Sequence, residues 1–194
     1  MAKIEDGKGS GKEAQVDSQN RLRTHAVTES ESLHASEEGT SYNLNTGLIS
    51  ISGDATLMYY KNTGIKDFLV EAIAIASFDG ITYSDKPYIT LVRNPTGGDL
   101  ITDATPLDQN QNRNFGSSDT ISGLAYKGKV GGTVTGGEDI ALLQTPTSGR
   151  SFFTTNFVLP KGSSIAIKLT ANISSGSANL YCAIIGFEKD DTTD

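Results

Sequence analysis

Ser164-Ile165-Ala166-Ile167-Lys168-Leu169-Thr170-Ala171 and Ala178-Asn179-Leu180-Tyr181-Cys182-Ala183-Ile184-Ile185-Gly186-Phe187-Glu188 decide the fold class. The first run alternates with period two. Ile165, Ile167 and Leu169 share one face, and Ala166, Lys168 and Thr170 share the other, the pattern of a strand and not of a helix. The second run is apolar on both faces, with Leu180, Cys182 and Ile184 on one and Tyr181, Ala183, Ile185 and Phe187 on the other. At a sheet edge such a strand would be an aggregation hazard, so it is expected inside a sheet. It then needs cover on each face, one from an opposing sheet and one from an N-terminal arm or a neighbouring subunit. Ile184 is assigned to the core, and Ile185 and Phe187 to the partner face.

Working outward, Phe152 to Leu159 reads as a strand closed by Pro160-Lys161-Gly162. Phe68 to Ala76 is almost continuously apolar and reads as a central strand, interrupted by Glu71. A carboxylate there is costly unless paired, so Glu71 is expected at an edge or beside a Lys or Arg. Leu48 to Ser52 alternates, with Ile49 and Ile51 on one face; Gly53-Asp54 turns, and Thr56 to Lys61 follows. Asp79-Gly80 is a hairpin signal, and Tyr88 to Arg93 ends at Asn94-Pro95. Residues 94–120 read as a long loop, functional or packed on a neighbour. Weaker strands are expected near Ile121–Ala125 and Lys129–Val134. Roughly eight strands and no long helix predict an all-β protein, an antiparallel β-sandwich whose natural eight-stranded version is a jelly roll.

Three segments follow. Residues 1–41 contain no Phe, Trp, Tyr or Pro, and their apolar side chains are isolated. This stretch is expected to be an extended polar arm making mostly intermolecular contacts, anchored by Arg21, Leu22 and Arg23 because Arg is favoured at interfaces. Thr28-Glu29-Ser30-Glu31 fits a capping box, predicting one or two helical turns through Ala35, ended at Gly39. Residues 42–189 are the β-sandwich body, and residues 190–194 an acidic tail.

Charge excludes some partners. Sixteen basic and twenty-three acidic residues give a net charge of −7. Such a chain has no sequence-independent attraction to a phosphate backbone, and anionic membranes repel it. No apolar run approaches the roughly 20 residues that span a bilayer. Met1 to Asp6 is charged and lacks the apolar region of a signal peptide, which predicts synthesis in the cytoplasm.

No catalytic constellation is legible, and no cofactor is expected. His25 and His34 both lie in the arm, so the body cannot supply a histidine to activate Cys182 or a serine. Cys182 itself reads as a buried, inert thiol. Gly128-Lys129-Val130-Gly131-Gly132 lacks the spacing of a phosphate loop and reads as turn glycines. The one weak metal candidate is a calcium loop. Asp108, Asn110 and Asn112 stand at its first three ligand positions and Asp119 at the twelfth, but Arg113 stands where glycine is wanted. Tryptophan is absent, which counts against a host-glycan platform.

Val16-Asp17-Ser18-Gln19-Asn20 through Thr28-Glu29-Ser30, followed by His34 through Tyr42-Asn43-Leu44-Asn45-Thr46-Gly47 to Ile51, resembles the N-terminal region of a group of tailed-bacteriophage virion proteins. In that group an extended arm precedes a Tyr-Asn-Leu-Asn-Thr-Gly turn and a β-sandwich. Leu159 to Ile167 and Ile184 to Glu188 are similar too. The resemblance implies a non-enzymatic virion component, made in the host cytoplasm, that decorates or stabilises the capsid. Its implied partners are other copies of itself, a trimer by analogy, and virion proteins such as the major capsid protein. A collar or tail adaptor, or a host-glycan-binding module, are the alternatives.

Overall fold

The structure, a computed structural model, describes residues 3–5, 13–16, 22–23, 30–77, 81–102, 105–107, 109–144 and 149–189. The chain divides into two compact units, Met1–Ser30 and Glu31–Asp194. In the first, β1 (Lys3–Glu5), β2 (Glu13–Val16) and β3 (Leu22–Arg23) form an antiparallel sheet in that order.

The second unit begins with α1 (Glu31–Glu37), the helix expected after the capping box, and Gly39 ends it at φ +78°. Its strands are β4 (Ser41–Ile51), β5 (Ala55–Asn62), β6 (Asp67–Ser77), β7 (Ile81–Tyr83), β8 (Tyr88–Arg93) and β9 (Gly97–Gly98). After α2 (Asp99–Thr102) come β10 (Thr105–Pro106), β11 (Gln109–Asn112), β12 (Gly123–Lys127), β13 (Val134–Thr135) and β14 (Glu138–Gln144). The last four are β15 (Gly149–Leu159), β16 (Ser164–Thr170), β17 (Ile173–Gly176) and β18 (Ala178–Lys189). Six strands form one sheet in the order β10-β12-β5-β16-β8-β14, and five form another in the order β11-β4-β18-β6-β15. Every pairing is antiparallel, as expected for an all-β chain.

The inner faces of the two sheets share one apolar core. Leu44, Val70, Ile73, Ile75, Cys182 and Ile184 enter it from the five-stranded sheet, and Leu57, Ile89, Leu91, Ile165, Ile167 and Leu169 from the six-stranded one. Burying each such side chain contributes about 1.5–3 kcal/mol relative to exposure. β18 lies between β4 and β6, inside its sheet, with Ile184 fully buried in the core. A smaller cluster of Tyr59, Val92, Leu100, Val134 and Ala166 joins the six-stranded sheet to α2 and β13.

Several expectations are corrected. The Tyr42-to-Gly47 turn is absent, because β4 runs unbroken from Ser41 and pairs with β18 from Phe187 back to Ala178. What the sequence signalled there is a bulge at Thr46–Gly47, with Gly47 at φ +63°. The Thr46 hydroxyl accepts from the Cys182 amide at 3.0 Å and lies 3.1 Å from its carbonyl, replacing ladder bonds the bulge removes. The bulge also shifts the phase, so Tyr42 and Leu44 before it and Ile49 and Ile51 after it all face the core. Likewise residues 94–120, expected as one long loop, hold β9, α2, β10 and β11. The compact body also starts at Glu31, ahead of the boundary expected at Tyr42.

Candidate interaction surface

The α1 end of the body is held by polar side chains. Arg113, just past β11, donates to Glu71 Oε2 at 3.2 Å, Ser41 Oγ at 3.1 Å and Ser32 Oγ at 3.4 Å. Glu71 thus has the cationic partner its place in an apolar strand called for. Lys189 Nζ reaches Glu31 Oε1 at 2.9 Å, joining β18 to α1. His34 pairs with Glu38 at 3.2 Å on the exposed face of the helix.

The Asn-rich loop serves the helix C-terminus. Asn112 donates to the Gly39 carbonyl at 2.5 Å and accepts from the Asn114 amide at 2.9 Å; Asn114 donates to the Glu37 carbonyl at 2.8 Å. These bonds satisfy carbonyls that a helix end leaves orphaned. Both ends of the Asn112 amide thus have protein partners, and Asp119 takes part through its backbone. Asn110 pairs with Leu44 in the β11–β4 ladder, and Asp108 lies outside the described residues. Among the described residues no group of three or more His, Cys, Asp or Glu side chains could hold a metal.

The outer face of the five-stranded sheet is predominantly apolar. Cross-strand register sets Leu48, Tyr181, Ala76 and Arg150 in one row, and Asn45, Ala183, Ala74 and Phe152 in the next. A third row holds Asn43, Ile185, Ala72 and Thr154. Ile185 therefore lies on the outer face of this sheet. Phe187 is only 3% exposed, with Ala35 of α1 lining the same small cleft. Its cover is helix from its own chain, which revises its assignment as a partner contact. Arg21 lies outside the described residues, as do the side chains of Leu22 and Arg23 in β3.

At the β14–β15 side the two sheets part. A cleft of about 420 Å³ opens there, floored by Ile140, Phe157, Leu159 and Ile165 with Arg93 at its rim. Arg93 is paired with Glu138 across β8 and β14. Leu142, Phe152 and Val158 on these two strands are 68%, 53% and 55% exposed. Sequence reasoning missed this side because it assigned no strand to Glu138–Gln144.

Buried groups offer little reactivity. Burial pushes the Cys182 thiol well above its usual range, so the nucleophilic thiolate is suppressed. Burial, reinforced by the charges of Glu188 and Asp119, raises the Tyr42 phenol to about 12. Tyr60 is also raised by burial, and its hydroxyl has no hydrogen-bond partner among the described residues. No helix among those residues is long and apolar enough to cross a membrane.

No family model, curated protein or solved structure matches this chain.

Proposed function

We propose that the chain is a non-enzymatic virion structural protein of a tailed phage, with a jelly-roll body that decorates or stabilises the capsid surface. One observation carries the reading, the strand order. Numbered along the chain, β4, β5, β6, β8, β14, β15, β16 and β18 stand in the orders 1-8-3-6 and 2-7-4-5 within the two sheets. This interleaving of two antiparallel sheets supports a jelly roll, whose double Greek key has that order and which serves in capsid and lectin domains. The sequence resemblance to phage virion proteins supplies the choice between those uses, because fold alone does not assign function.

In this reading the apolar outer sheet face and the arm contact other copies of the chain and the major capsid protein. Electron cryo-microscopy of the particle, with mass spectrometry of its proteins, tests it. Density for the body on the capsid, in symmetric copies, is expected. Absence of the chain from purified particles, or its confinement to the collar or tail, overturns the capsid assignment. Purified protein is expected to hydrolyse neither polysaccharide nor phosphoesters; robust turnover abolished by one substitution in the body would overturn the non-enzymatic reading.

A further inference from the structure

Sheet edges expose unpaired N–H and C=O groups, and proteins guard them with short strands, charge, proline or bulges. Among the described residues, three of the four edges of the two large sheets are guarded. β10 has two residues and ends in Pro106; β11 has four and is Gln-Asn-Gln-Asn; β14 carries Glu138, Asp139 and a bulge between Asp139 and Ala141. β15 is different. It is eleven residues long, pairs only with β6 among the described residues, and carries Arg150 as its single charge. Its bulge lies at Thr155–Asn156, where Asn156 takes φ +54°, so Gly149 to Thr154 forms an unbroken ladder with β6 and presents an unguarded outer edge.

We propose that this edge pairs with the same segment of a second copy, antiparallel about a two-fold axis at Phe152, joining two five-stranded sheets into one of ten strands. The segment is self-complementary in that register. Phe152 meets Phe152 of the partner copy on the outer face, and each Arg150 faces a Thr154, so no like charges oppose. Directly opposed antiparallel residues lie on one face about 4.5–5.5 Å apart, and an aromatic pair there adds to the backbone bonds. The contact is isologous, the commonest closed symmetry among soluble oligomers. It goes beyond the virion reading and stands without it; as a two-fold contact it does not rest on the trimer analogy.

The full chain is tested by sedimentation and by disulfide trapping. The parent contains one cysteine, Cys182, which is fully buried, so introduced thiols report alone. Phe152→Cys is expected to form a covalent dimer under mild oxidation, while Ser50→Cys, exposed on β4, is not. Truncating Phe152 removes part of the contact, so a second trap uses Arg150→Cys with Thr154→Cys, positions that face one another in this register. Phe152→Lys is expected to abolish the dimer with the circular dichroism spectrum unchanged. A parent chain that sediments as a monomer overturns the proposal. So does a dimer that survives Phe152→Lys and is trapped by neither set of cysteines, or one trapped equally by Ser50→Cys.

Discussion

The two flanks of the body differ in how they finish their sheets. On one, β10 and β11 are two and four residues long, and side chains from the following loop tie that flank to α1. On the other, β14 and β15 are seven and eleven residues long, and Leu142, Phe152 and Val158 point into solvent beside an apolar cleft. Strand edges and apolar side chains in water are both unfavourable in isolation. One flank is a finished surface within the monomer; the other, under the proposed edge pairing, is one that a second copy completes. Substitutions on the first should cost stability; substitutions on the second should alter association.

The largest effect is expected from Gly128→Ala on the finished flank. A Cβ there would lie 1.4 Å from the Thr56 carbonyl oxygen, on backbone that cannot swing aside. Gly128 also donates to the Leu57 carbonyl at 2.9 Å, so moving it breaks the end of the β12–β5 pairing. A loss of about 3 kcal/mol or more is expected in chemical denaturation; an unchanged midpoint would show that this flank tolerates rearrangement.

Alkaline pH is expected to act next, through Tyr42, which sits opposite Asn112 in the β4–β11 pairing. Below pH 10 the phenol is protonated in both states. Above it the unfolded chain loses the proton while the folded chain keeps it to about 12. The folded state then binds more protons, so stability falls as pH rises from 10 and levels off past 12, by about 2–3 kcal/mol from this group. Tyr42→Phe should make that slope shallower by this group's share, the Tyr60 phenol and Cys182 thiol, also raised by burial, keeping the rest; an equally steep fall in the variant would place its origin in those groups.

Asn112→Ala, which removes the bonds to Gly39 and Asn114, is expected to cost about 1–2 kcal/mol. Calcium should not change the thermal midpoint of the parent chain, and a calcium-dependent rise would restore the cation-loop reading. Smallest of all, Leu142→Lys and Val158→Lys on the open flank should each change monomer stability by no more than about 0.5 kcal/mol, since both side chains are already in water. A large loss from either would mean that this flank, too, is finished within the monomer.

The sequence by itself determined what depends on neighbours along the chain. Alternation in Ser164 to Ala171 assigned Ile165, Ile167 and Leu169 to the core, and the two-sided apolar run of β18 required a place inside a sheet. The pairing of Glu71 followed from the cost of a lone charge in an apolar strand, though not the identity of Arg113. Tertiary structure alone decided the rest. Thr46–Gly47 reads equally as a turn or as a bulge, and only the pairing of β4 with β18 selects the bulge. Asn112 has the same oxygen and nitrogen whether it binds a cation or a backbone, and the approach of the α1 terminus makes it a cap. Strand faces follow a local period of two, whereas strand partners are chosen by hydrogen bonds between distant segments, such as Ser41 with Phe187, which no local pattern encodes.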